Sequence, residues 1–291
     1  MRDWIGQFLQ RERLPEGYRQ TIDNALLPLG AAIAQRVRLS DHMVVVGLCG
    51  AQGSGKSTAA AALCEILQRE NLPAVALSID DFYLPRAERA ALAHNVHPLL
   101  ATRGVPGTHD VELAQATIDS LAEAEPTLLP SFDKATDDRR PRSQWRLCQG
   151  PMRVLILEGW CVGALPQTAA ALSKPVNALE RDEDPDCRWR SYVNEALTTR
   201  YPALFNRLSP LVLLAAPSFE VVQAWRSEQE HKLRDKLARE GGDASRVMSD
   251  AAIARFISHY ERVTRHILAE MPQRADHVIS LDERRNARWN G

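Results

Sequence analysis

Residues Gly50-Ala51-Gln52-Gly53-Ser54-Gly55-Lys56-Ser57 follow the pattern G-x-x-x-x-G-K-[ST], a spacing suited to holding phosphate groups. Glycines let successive backbone N–H groups converge on phosphate oxygens, the start of the following helix adds partial positive charge, and Lys56 adds a full one. Ser57 would offer its hydroxyl to Mg²⁺, and Thr58 opens the helix behind it. Gly50 through Thr58 are therefore the expected nucleotide-binding residues. A chance glycine turn capping a helix is the alternative, and the β-branched run before the loop and the alanine-rich stretch after it argue against chance. Such a loop by itself does not separate kinases from GTPases or mechanical ATPases.

Two acidic positions lie where they could serve this loop. Asp80-Asp81 follow the run Ala74 to Ile79, and in a parallel sheet that strand ends at the same edge as the glycine loop. A carboxylate there could deprotonate an attacking hydroxyl or ligate Mg²⁺, whereas an aspartate pair after a strand also caps helices. Glu158 closes the strand-like Val154-Leu155-Ile156-Leu157 and is followed by Gly159, an arrangement in which an acid can hold Mg²⁺ through water. A solvent-facing strand end would look the same.

The elements that must position these groups read as α/β. Residues 1 to 40 predict a helical cap, split at Leu14-Pro15-Glu16-Gly17, with Ile22, Ala25, Leu26, Leu29, Ile33 and Val37 at helical spacing. Strands are predicted at 43–49, 74–79, 154–157, 211–214 and 277–280, and helices at 58–70, 111–124, 189–204, 218–240 and 249–270. This alternation predicts a three-layer sandwich in which a parallel five-stranded sheet carries helices on both faces, over residues 41 to 291. Stretches 82–110 and 130–150 fit no simple unit, and loops of such length tend to be functional or disordered.

Hydrophobic residues at 45% and charged residues at 25% are ordinary globular values, and a formal charge of -1 gives no bulk attraction to nucleic acid or anionic membrane. The five cysteines are scattered with no C-x-x-C pair, the N-terminus is too polar for a secretory signal, and no run has the length of a membrane span. A cytoplasmic protein, monomeric or homodimeric, with neither nucleic-acid nor membrane partner is expected. His94, His97 and His109 match no zinc spacing.

Several strings together resemble the P-loop kinases of the phosphoribulokinase and uridine kinase superfamily, and most closely the glycerate 3-kinases of plants and fungi. They are Gly50 to Ser57, Ser78 to Leu84, His97 to Leu100, Arg103 to Asp110, Phe132-Asp133-Lys134, Leu157 to Trp160, and Trp225 to Glu230. The resemblance spans most of residues 40 to 281. It implies that Asp80 is the catalytic base, that Glu158 assists Mg²⁺, and that a helical lid within about 216–248 covers the phosphates. Those kinases run from Asp-Lys-Ser through a glycine to Asp-Arg, whereas Asp133 to Arg139 here contains no glycine.

Cations for an acceptor's carboxylate are available in Arg103, Lys134 and Arg139 of the two long loops. Arg103 could equally anchor its loop by pairing with Asp110, and Lys134 and Arg139 could belong to a solvated mixed-charge loop. Asp81, Tyr83, Arg103 and Lys134 are thus the candidate acceptor contacts. Arg226 is the expected lid residue on phosphate, while Lys232, Arg234, Lys236 and Arg239 alternate with acids as on an exposed helix. The combined expectation is an enzyme that uses Mg·ATP to phosphorylate a small hydroxyl acceptor, with D-glycerate as the best guess. Lys56, Asp80 and Arg226 would be catalytic, and Ser57, Asp80 and Glu158 would hold the metal. Pantothenate or a nucleoside is the alternative acceptor. A regulatory NTPase is the alternative class, although the Asn-Lys-x-Asp guanine motif is absent from the sequence.

Overall fold

Helices precede the first strand in the computed structural model, which describes residues 3–240 and 249–289. α1 (Trp4–Arg11) is capped by Asp3, whose carboxylate accepts from the Gly6 N–H at 3.0 Å. After the Leu14-Pro15-Glu16-Gly17 break, α2 (Tyr18–Thr21) runs through a π-helical turn (Ile22–Leu26) into α3 (Leu27–Arg38). β1 (Val44–Gly50), α4 (Lys56–Arg69) and β2 (Ala74–Ser78) form the βαβ unit around the glycine loop.

The first long loop holds α5 (Arg86–Asn95) and a 3₁₀ turn (Pro98–Ala101), and α6 (Val111–Ala122) follows it. The second long loop consists of two small antiparallel ribbons. β3 (Thr127–Leu129) is the first strand of the outer one, and β4 (Phe132–Asp133) and β5 (Asp138–Arg139) form a hairpin within it. β6 (Arg146–Cys148) pairs back with β3. β7 (Val154–Gly159) is followed by α7 (Ala169–Leu172), α8 (Ala178–Glu183), α9 (Arg188–Thr199) and α10 (Pro202–Phe205). The helix predicted over 189–204 is broken because Pro202 has no N–H to continue the ladder. The chain ends in β8 (Leu208–Ala215), α11 (Phe219–Glu240), α12 (Asp250–Glu270), β9 (His277–Leu281) and β10 (Ala287–Trp289).

Strand order across the main sheet is β10-β9-β8-β1-β7-β2. The five expected strands are parallel, and β10 adds a sixth, antiparallel to β9. The sequence reading missed that edge strand because Ala287-Arg288-Trp289 is too short to show alternation.

Each buried strand divides its side chains by alternation. Val45, Cys49, Leu155, Leu157, Leu211 and Leu213 join one apolar cluster with α6, α9, α10 and α12. Val44, Val46, Leu48, Val154, Ile156, Val212 and Leu214 join the other, with α4, α11 and the helices before β1. Helices therefore cover both faces. Ile22, Ala25, Leu29, Ile33 and Val37 are buried in that second cluster, so the N-terminal helices share a core with β1 and α4. Among the described residues no helix is long and apolar enough to cross a membrane.

Candidate active site

The glycine loop turns from β1 into α4 through two left-handed residues, Gly53 at φ +79° and Gly55 at φ +84°. At Gly53 a side chain has no room either, since its Cβ would lie 2.7 Å from the Cβ of Trp225 on α11. Gly55 stands at the cap position without a side chain, which leaves the N–H groups of the first turn directed outward. Behind the loop, Arg285 Nε donates to Gly53 O at 2.7 Å and Arg285 Nη2 to Glu228 Oε2 at 2.8 Å, joining the loop to α11.

Parallel pairing aligns the acids beside this loop. Ser78 at the end of β2 stands opposite Glu158 at the end of β7, and Leu48 of β1 flanks Glu158 on its other side. Ser57 Oγ donates to Glu158 Oε1 at 2.7 Å. Glu158 is 4% exposed, and its second oxygen, Oε2, has no hydrogen-bond partner. A buried carboxyl oxygen left in this state has room for a hydrogen-bond donor or a cation.

Asp80 and Asp81 follow β2 in a 3₁₀ turn (Ile79–Phe82) and have opposite surroundings. Asp80 Oδ1 accepts from Tyr83 Oη at 2.8 Å, and Oδ2 accepts from Lys134 Nζ at 2.6 Å. Burial pushes the Asp80 carboxyl up, but Lys134 and Lys56 outweigh it and hold the group at about 2. Burial likewise pushes Asp81 up, here to about 6; the Phe132 N–H that donates to its Oδ1 at 3.3 Å offsets this in part, and the charge of Asp80 adds to it.

That difference has a measurable sign. The folded protein holds a proton on Asp81 more tightly than the unfolded chain, so this residue costs stability as pH rises from its ordinary value of 3.8 through about 6. Asp81→Asn is therefore expected to stabilise the protein above pH 6 by roughly 1–2 kcal/mol, less than the full shift because the side chain is partly exposed. Thermal unfolding at several pH values checks this: the gain must vanish below about pH 4. A gain that is equal at all pH values would show that the carboxyl is not displaced.

Twelve residues line a cavity of ≈ 250 Å³ over the loop, and they include Lys56, Ser57, Asp80, Tyr83, Arg103, Lys134 and Arg226. Segments separated by long stretches of sequence thus converge, and the hairpin β4–β5 is what delivers Lys134. Its turn takes a left-handed residue at Asp137, φ +57°, a conformation in which a glycine is strain-free and an aspartate tolerated. Asp137 is in turn held by Arg103 and by the buried Arg89, the latter at 3.0 Å.

Arg103 accordingly does both things that were open for it: it anchors its loop and it lines the cavity. Its partner is Asp137 rather than the expected Asp110. Asp110 instead pairs at 3.0 Å with Arg139, whose Nη2 also donates to Tyr83 O, so Arg139 ties the loops together and does not line the cavity. Lys134 belongs to no merely solvated loop, because its ammonium reaches Asp80. Arg226 lines the cavity with its guanidinium 5.9 Å from the Phe256 ring centre. The side chains of residues 229, 230 and 232–240, and residues 241–248 at the end of the predicted lid, lie outside the described residues.

Three aromatic walls, Trp160, Phe256 and Tyr260, were not singled out for the site. Phe256 and Tyr260 read as apolar-stripe residues of α12, and nothing local distinguishes a stripe residue that borders a cavity. Tyr260 Oη donates to Arg103 O at 3.0 Å and Trp160 Nε1 to Gly104 O at 3.0 Å, so both hold the Arg103 loop in place.

With this geometry in view, residues 45–165 match the model of the Phosphoribulokinase / Uridine kinase family. The uncharacterized kinase mug58 of Schizosaccharomyces pombe is 34% identical over 231 residues, covering 74% of this chain and 78% of that protein. The chain belongs to this kinase family. As a family member it is an ATP-dependent kinase, consistent with a phosphate loop facing an aspartate. The chloroplastic D-glycerate 3-kinase of Arabidopsis thaliana is 29% identical over 262 residues, which cover 84% of this chain but 53% of the plant protein. Among solved structures, a D-glycerate 3-kinase from Cryptococcus neoformans var. grubii superposes with a TM-score of 0.73 at 24% identity, covering 90% of this chain and 95% of that one. That likeness shows that the family fold extends to the N-terminal and C-terminal segments outside 45–165.

Proposed function

We propose that this kinase transfers the γ-phosphoryl group of ATP to the hydroxyl of a small carboxylic acid, with D-glycerate to 3-phosphoglycerate as the reading best supported. One observation carries it: Asp80 and the cations Arg103, Lys134 and Arg226 line one cavity of ≈ 250 Å³ directly over Lys56 and Ser57. A hydroxy acid needs a base for its hydroxyl and cations for its carboxylate, and a cavity of this size suits a few-carbon acceptor better than a nucleoside. The resemblance to enzymes named D-glycerate 3-kinase supports the same acceptor.

In this reading Asp80 accepts the acceptor's hydroxyl proton as the oxygen attacks, and its short hydrogen bond from Tyr83 fixes the carboxylate's orientation. Lys56 and Arg226 face the transferring phosphoryl group and offset its charge, while Arg103 and Lys134 orient the carboxylate of the acceptor. The donor set of Ser57 hydroxyl, Asp80 and the unpartnered Glu158 oxygen fits a hard divalent cation. Mg²⁺ held there would neutralise charge on the β and γ phosphates. Tyr83 supports Asp80, whereas Asp81, which accepts from the Phe132 N–H, is not among the residues lining the cavity. The protein acts without nucleic-acid or membrane partners, in the cytoplasm.

ADP release from Mg·ATP across hydroxy acids, nucleosides and pantothenate tests the proposal. Stimulation by D-glycerate is expected. Stimulation by a different member would replace the acceptor, and hydrolysis that no acceptor accelerates would favour a regulatory NTPase.

A further inference from the structure

Asp80 is bound at both carboxylate oxygens, by Tyr83 on one and Lys134 on the other, and the phenol of Tyr83 is itself held from behind. Tyr83 forms an antiparallel backbone bridge with His109, reinforced by the Leu84 N–H donating to Thr108 O at 2.9 Å and the Asp110 N–H to Phe82 O at 2.7 Å. Residues directly opposite in such a pair place their side chains on one face. Here the two rings stack, with centroids 4.7 Å apart and planes inclined by 25°. Phe132 meets the Tyr83 ring at 5.2 Å and 80°, so the phenol is packed from two directions.

His109 is fastened in turn. Its Nδ1 lies 2.5 Å from Tyr201 Oη, which also accepts from the Gly107 N–H at 3.0 Å. Burial pushes His109 down to about 4, so the ring is uncharged at neutral pH and its Nδ1 can accept from the Tyr201 hydroxyl. Tyr201 is fully buried and stands between α9 and α10, immediately before Pro202. Tyr83 and Asp80 line the cavity over the glycine loop, whereas His109 and Tyr201 do not. Whatever the outer pair contributes must therefore pass through Tyr83.

We propose that His109 and Tyr201 are positioning residues for phosphoryl transfer, holding the Tyr83 phenol, and through it the Asp80 carboxylate, in the orientation that takes the acceptor's proton. The helical stretch between β7 and β8 then serves the reaction as well as the core. With the phenol loosened, the carboxylate keeps only Lys134, whose ammonium is 61% exposed and free to follow it. A misplacement of about 1 Å at a reacting group can cost on the order of 10²-fold in rate. This rests on the reading of Asp80 as the base, so the test measures the two separately.

Rapid-quench phosphoryl transfer to D-glycerate, or to the panel member that replaces it, is measured for Tyr201→Phe, His109→Leu and His109→Phe beside Asp80→Asn, with thermal unfolding of each. Tyr201→Phe keeps the ring and removes the hydroxyl; kcat is expected to fall about five- to twentyfold, with KM for both substrates within about twofold. His109→Leu should lose at least as much, and His109→Phe, which returns a stacking ring, should recover part of that loss. In a Tyr83→Phe background, Tyr201→Phe should lower kcat by less than about twofold further, because the hydroxyl through which it acts is already gone. A parental kcat in a Tyr201→Phe protein of lowered melting temperature, or losses that multiply in the double variant, would make the pair a structural clamp and overturn the inference while Asp80→Asn stays impaired. Parental turnover in Asp80→Asn would remove the reading of Asp80 and this inference with it.

Discussion

Asp80→Asn is expected to lower kcat by about 10²–10⁴-fold while the ATP dissociation constant stays within about twofold. The variant keeps the shape of the side chain and an oxygen for the Tyr83 hydroxyl, which now donates at 2.8 Å, but it cannot take a proton. Stability at neutral pH should fall by about 1–2 kcal/mol, because Lys134 and Lys56 hold the folded carboxyl at about 2, below its ordinary 3.8, and that contribution exists only while the group is ionised. Rapid-quench measurement of phosphoryl transfer, alongside calorimetric ATP titration, separates the two quantities. A kcat within a few-fold of the parent would remove Asp80 from the role of base, and a collapse of ATP binding would make it a donor-site residue instead.

Lys56→Ala should weaken both steps, with kcat reduced by about 10²–10³-fold and a clear rise in the KM for ATP. Lys56 is the first residue of α4, and alanine is the best helix former, so the helix itself is preserved. What is lost is the full positive charge in the cavity beside Ser57 and Asp80. Unlike Asp80→Asn, this change acts on the ground state as well as the transition state, because the lysine meets phosphate oxygens before and during transfer. Unaltered activity in a folded Lys56→Ala protein would sink the phosphate-loop assignment.

The two substitutions also differ in how readable their sites were. Lys56 is identified by eight contiguous residues. The neighbouring acids follow from strand runs, because a parallel sheet brings the ends of β1, β2 and β7 to one edge. Asp80 and Glu158 could therefore be assigned to that edge before any contact was known. Lys134 could not be tied to Asp80 in this way. The two are 54 residues apart, and the link depends on the β4–β5 hairpin and on Arg89, whose guanidinium is buried against Leu84, Ala101 and Asp137.

Arg103 illustrates the same limit. From the sequence Asp110 was one open partner for it, yet Asp137 takes it and leaves Asp110 to Arg139. Charged side chains in long loops have several partners of similar strength within reach, so sequence separation decides nothing about pairing. Phe256 and Tyr260 were legible only as stripe residues of α12, Trp160 only as the end of a family-like string, and β10 not at all.

By itself, then, the sequence determined the phosphate loop, the five parallel strands and the edge at which the acids emerge, because local backbone chemistry and hydrophobic period encode these directly. Tertiary structure alone decided which loop cations surround Asp80, which aromatic residues wall the cavity, and that the chain's N-terminal break and C-terminal turn meet beside the glycine loop. Those arrangements rest on contacts between distant segments, whose partners are selected by packing of the whole sheet and its layers.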